Sequence, residues 1–176
     1  MSARYYARFK NRTFPLIQIS ATHDDFIFPV TMHEIKSVME NVPTQFVEGI
    51  KAVLVPSGSK KQIAAMKSLL MFGEYWRDCV VLHPYPKTLM TQVYEKEPNP
   101  QVVQGYRRTG AAIVTEGTGI KIIFDEASLK NFYLRDVLMH EIGHHNDRLL
   151  EARPKKKREA FANWFASEYG FRLESK

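Results

Sequence analysis

Hydrophobic and polar positions alternate or recur along the chain with two periods. Phe14 to Ser20, Ile50 to Val55 and Asp78 to His83 are short runs rich in β-branched residues and bounded by Pro, Ser or Gly, and they predict strands. Met32, Ile35, Val38, Met39 and Val42 recur at helical spacing behind a Thr31–Glu34 capping box, with Pro43 as the stop. Ala111–Thr115 and Gly119–Phe124 flank a tight Glu116-Gly-Thr118 segment, the pattern of a β-hairpin. A short helix is expected near Lys61–Leu70, and a loop at Glu95–Gln101. Two helices close the chain, about Phe132–Leu150 and about Lys157–Tyr169, with Gly170 ending the second. Strands and helices mixed, then paired terminal helices, predict an α+β fold with a small mixed or antiparallel sheet. At 176 residues without repeat or linker, the chain reads as a single domain over 1–176.

Composition narrows this little. Hydrophobic residues make up 44% and charged residues 25%, an ordinary globular mixture. The single cysteine, Cys79, excludes an intrachain disulfide and any Cys-rich zinc module, and it reads as a small core residue. No apolar run reaches the ~18 residues of a membrane span, and the basic first ten residues lack the apolar centre of a signal peptide. A cytoplasmic protein without a membrane partner is the expectation. The net charge of +6 suits a polyanion but equally suits solubility. Residues 4–12 interleave Arg and Lys with Tyr and Phe, and Arg153–Arg158 is a basic run. Each reads first as a solvated segment and second as a nucleic-acid contact.

The chemistry concentrates in residues 132–170. His140-Glu141-Ile142-Gly143-His144 places two imidazoles at i and i+4, about 40° apart around a helix and roughly 6 Å apart along it, so both can converge on one ion. Glu141, next to the first histidine, borders that ion without ligating it, where a general base for an activated water belongs. A shuffled chain of this composition yields roughly 0.015 such motifs. A third protein ligand is needed, and Glu159 is the candidate. It heads a stripe of Glu159, Ala162, Asn163 and Ala166 on the next helix, small except for its polar members. Gly143 would allow that helix to approach closely. Asn163 and Asp147 are candidates to hydrogen-bond the outer nitrogens of the ligand histidines. His145 should point about 100° away from His144, and His33 reads as a surface residue.

The forms HEIGHH and EAFANWFA resemble the gluzincin metallopeptidases, most of all the compact ImmA/IrrE-type peptidases, over Met139 to Ser167. HExGHxxD, His140 through Asp147, is also similar to lethal-factor-like peptidases. That second group usually carries a transition-state tyrosine two turns before the ligand Glu, where this chain has Ala152. The resemblance implies a zincin-like fold, Zn²⁺ and a protein or peptide substrate, with an edge strand above the active-site helix pairing with it. Gly119–Phe124 is the expected edge strand. The reading is a cytoplasmic zinc metalloendopeptidase, a hydrolase with Glu141 as base and His140, His144 and Glu159 as ligands. The alternative is a non-catalytic, zinc-stabilised regulatory or nucleic-acid-binding protein. Tyr106, Tyr169, His83 and Arg107 stand open as donors to the oxyanion.

Overall fold

The computed structural model describes residues 14–59, 72–96, 98, 100–147 and 154–171. The expected helix at 61–70, the basic segment 4–12, Ala152 and Arg153 lie outside them. The chain builds a mixed α+β arrangement with a four-stranded sheet in the order β1 (Leu16–Ile19), β3 (Ala52–Val55), β5 (Cys79–Leu82), β4 (Gly73–Trp76). The first three strands are parallel, and β4 runs antiparallel to β5 at one edge. Every residue of β3 and β5 is buried, as expected of parallel strands covered on both faces. Val53, Val55, Val80 and Leu82 join the main core, while Ala52, Leu54, Cys79 and Val81 pack with Leu16 on the other face.

A two-stranded ribbon joins β2 (Phe26–Ile27) to β6 (Tyr85–Pro86). A second sheet orders β7 (Thr91–Tyr94), β9 (Gly119–Ile123) and β8 (Ala112–Glu116), all antiparallel. The β8–β9 connection is the expected hairpin, with Glu116 opposite Gly119 and Gly117 at φ 61°. Strand β9 is paired on both sides, so the expectation that Gly119–Phe124 is an open edge is corrected: its residues form the centre of a sheet.

Helix α1 (Met32–Asn41) starts at the expected capping box, with Thr31 Oγ1 accepting from the Glu34 N–H and the Glu34 carboxylate accepting from the Thr31 N–H. Two further helices follow, the single-turn α2 (Thr44–Val47) and α3 (Pro100–Thr109). Helix α4 (Glu126–Asn131), capped by Asp125, continues through a π-helical stretch, Phe132–Val137, into α5 (Leu138–Asp147). Helix α6 (Lys155–Phe171) packs along α5. It runs past Gly170, which therefore does not stop it; a Cβ at Gly170 would strike the backbone of Arg135, so this glycine serves a close crossing. The basic run is likewise corrected from loop to helix at Lys155–Arg158, the exposed first turn of α6. No helix among the described residues is long and apolar enough to cross a membrane.

Candidate metal centre

Helix α5 turns a buried face, including Leu138, Met139 and Ile142, to the core, and this fixes which way its polar positions point. His140 and His144 leave one side together, with ring centroids 4.7 Å apart and planes at 84°. Helix α6 is held close by two small residues: a Cβ at Gly143 would lie 2.8 Å from Ala162 Cα and 3.1 Å from Phe165 Cβ. The small stripe on α6 thus faces Gly143 and brings Glu159 over both rings. Glu159 Oε2 lies 3.5 Å from His140 Nε2 and 3.6 Å from His144 Nε2. One ligand atom from each of the three side chains falls within 4.8 Å of the others, a group able to hold a metal ion.

The spacing can be tested against a real ion. Ligand atoms about 2.0–2.2 Å from a tetrahedral zinc stand roughly 3.3–3.6 Å from one another. The two nitrogen–oxygen distances meet that requirement. Burial, with His144 adding to it, lowers the proton affinity of the His140 ring, and burial alone is the main cause for His144. Both rings are thereby biased to the neutral form that ligates metal.

Asn163 hydrogen-bonds His140. Asp147 does not do the same for His144, whose Nδ1 is buried without a hydrogen-bond partner among the described residues. Instead Asp147 Oδ2 accepts from Arg158 Nε at 3.2 Å. His145 points elsewhere, as its angle predicts, with Nδ1 3.0 Å from Tyr75 Oη and Nε2 2.8 Å from the Glu48 carbonyl. His33 is exposed.

Glu141 stands outside the three-residue group and is only 5% exposed. The strand that covers it is β4. A Cβ at Gly73 would come 2.6 Å from Glu141 Oε1 and 2.7 Å from Val137 Cγ1, so only glycine lets the strand sit this low. The Tyr75 backbone N–H donates to the Glu141 carboxylate. Burial, then the charges of Glu159 and Glu74, push the Glu141 carboxyl up to about 8, against that one hydrogen bond. Tyr75 is tied down in turn: its hydroxyl donates to Asp78 Oδ1 at 3.0 Å, and Lys51 Nζ meets Asp78 Oδ2 at 2.7 Å.

Sequence reasoning missed β4 altogether, and with it Gly73, Glu74 and Tyr75. Four residues of mixed polarity carry no period long enough to read. Asp136 was also missed although its signal was legible, four positions before His140 on the same face; burial raises its carboxyl, while the charges of His140 and Arg108 oppose that. Of the open oxyanion candidates, Tyr106 is buried against Phe124 and Phe132, and Tyr169 packs on Phe165 and Phe46. His83 Nε2 lies 3.9 Å from Glu74 Oε2, and Arg107 is exposed on α3. No family model, curated protein or solved structure matches this chain.

Proposed function

We propose that the chain is a zinc metallopeptidase of zincin-like architecture that hydrolyses peptide bonds. The observation that carries this reading is the pairing of a ligand-spaced group, His140, His144 and Glu159, with a buried carboxyl, Glu141, that adjoins it without belonging to it. A metal held only for structure has no use for a second acidic group desolvated beside it.

A zinc ion held by the three side chains would polarise a substrate carbonyl and acidify a water. The rest falls to the chain. Glu141 takes the proton of the attacking water and delivers it to the leaving amine. Asn163 holds the His140 ring in its orientation. Strand β4 is the sheet edge that lies on α5, and the role of main-chain partner for an extended peptide passes to it from β9.

The test is Glu141→Gln beside the wild type. The amide keeps volume and hydrogen bonding but accepts no proton at neutral pH. Zinc content should stay stoichiometric while cleavage of a peptide library falls by ~10²–10⁴-fold. Equal cleavage by both proteins removes Glu141 as base. Loss of zinc from His140→Ala and Glu159→Ala but not from Glu141→Gln is the accompanying signature of the ligand set.

A further inference from the structure

Arg158 lies immediately before the ligand Glu159, and among the described residues its guanidinium is anchored through Nε alone. Nε donates to Asp147 Oδ2 at 3.2 Å; the aspartate side chain is 1% exposed, whereas 48% of the arginine side chain remains exposed. Asp147 follows His144 by three positions, so its side chain leaves nearly the same face of α5 about 4.5 Å further along the axis. The anchored guanidinium therefore sits about one helical turn beyond the ligand rings, at one end of the group they form with Glu159.

Carboxylates of Glu159, Glu74, Asp136 and Asp147 surround the histidines and Glu141, and Arg108 acts on Asp136 from further off. A neutral peptide gains nothing from a fixed cation here, while a carboxylate finds a planar donor already oriented by a buried partner. Guanidinium groups bind carboxylates through paired N–H donors, and anchoring at Nε leaves the two terminal nitrogens for a ligand.

We propose that Arg158, held by Asp147, binds a carboxylate of the substrate close to the bond that is cut, making the enzyme selective for acidic peptides. The inference rests on the metallopeptidase reading, because the same metal positions the reacting carbonyl. It gives Asp147 the task of orienting Arg158 instead of a ligand histidine.

The probes are two small hydroxamates of matched length, succinic acid monohydroxamate and butyrohydroxamate, which differ by a carboxylate in place of a methyl group. Each is titrated into cobalt-substituted protein and followed by the visible absorption of the metal. The wild type should bind the carboxylate probe at least ~10-fold more tightly. Arg158→Gln should erase that preference while leaving metal content and butyrohydroxamate affinity unchanged, and Arg158→Lys should keep part of it. Lys156→Gln, removing a neighbouring exposed charge, should leave the preference intact; equal loss there would mean a diffuse positive field and would overturn the assignment. Equal affinity of the wild type for both probes also overturns it, without touching the metallopeptidase reading. Failure to take up cobalt at all would sink both. Amidated peptide libraries containing acidic residues, set beside free-acid libraries lacking them, then separate a side-chain carboxylate from a C-terminal one.

Discussion

Glu141 is the residue whose surroundings make the sharpest quantitative claim. In metal-free protein its carboxyl is raised from the usual 4.5 to about 8. The folded chain then binds this proton more tightly than the unfolded chain across that interval, so stability falls as pH rises through it. Histidines 140, 144 and 83 are shifted the other way, and their effect grows as pH falls toward and below about 6.5, where the unfolded chain takes up protons that the folded rings resist. The comparison with Glu141→Gln cancels them, because both proteins carry the same histidines. Between pH 6.5 and 8, chelator-treated wild type should lose about 1.5 kcal/mol more stability than Glu141→Gln, since one group contributes ~1.4 kcal/mol per pH unit until it is half titrated. Urea unfolding at the two pH values measures both, and identical slopes would show that burial does not perturb this carboxyl.

Among the elements, the contact of α5 with α6 sets the geometry of the ligand group. Gly143→Ala adds a helix-favouring residue but places its Cβ 2.8 Å from the Ala162 backbone, which cannot turn aside. The propensity gain of about 1 kcal/mol is outweighed by an overpacking cost of ~1–3 kcal/mol. The helices should part and carry Glu159 off the histidines. Zinc affinity, measured by competition with a chromophoric chelator, should drop further than the melting temperature alone would suggest. A variant that melts higher and binds zinc normally would contradict the close approach. This contact was legible in the sequence, because a glycine inside a helix and a small-residue stripe on its neighbour each ask for the other. So were β3 and β5, whose uninterrupted apolar runs can only be buried, and α1, whose cap is local. Helix α3 escaped notice because its apolar face is sparse and follows a polar loop, although Pro100 in its first turn was a usable start signal. Strand β4 was illegible for a different reason. Gly73 and Tyr75 are where they are because of α5, and Tyr75 meets His145 across 70 positions of chain. No local pattern encodes such a partner.

Over the whole molecule, metal removal should register as lost stability. An ion that binds only the folded chain adds about 4 kcal/mol at a free concentration 1,000 times its dissociation constant. For a protein of this size that amounts to roughly 10 °C of melting temperature. Chelation should lower the wild-type transition by about that much and leave Glu159→Ala nearly unmoved; equal shifts in both would place the stabilising ion elsewhere. The three proposed ligands lie within twenty residues of one another, on two helices that pack directly. Glu141 also belongs to that local unit, but the strand that buries it and bonds its carboxylate comes from a distant stretch and is held by Lys51, more distant still. Contacts of short sequence separation form early in folding, and those of long separation form late. In the proposed enzyme the chain would therefore capture its ion before Glu141 is seated beneath β4. Zinc loading and catalytic competence then become separable events in time, and a nascent or partly unfolded molecule would carry metal without yet being able to cut.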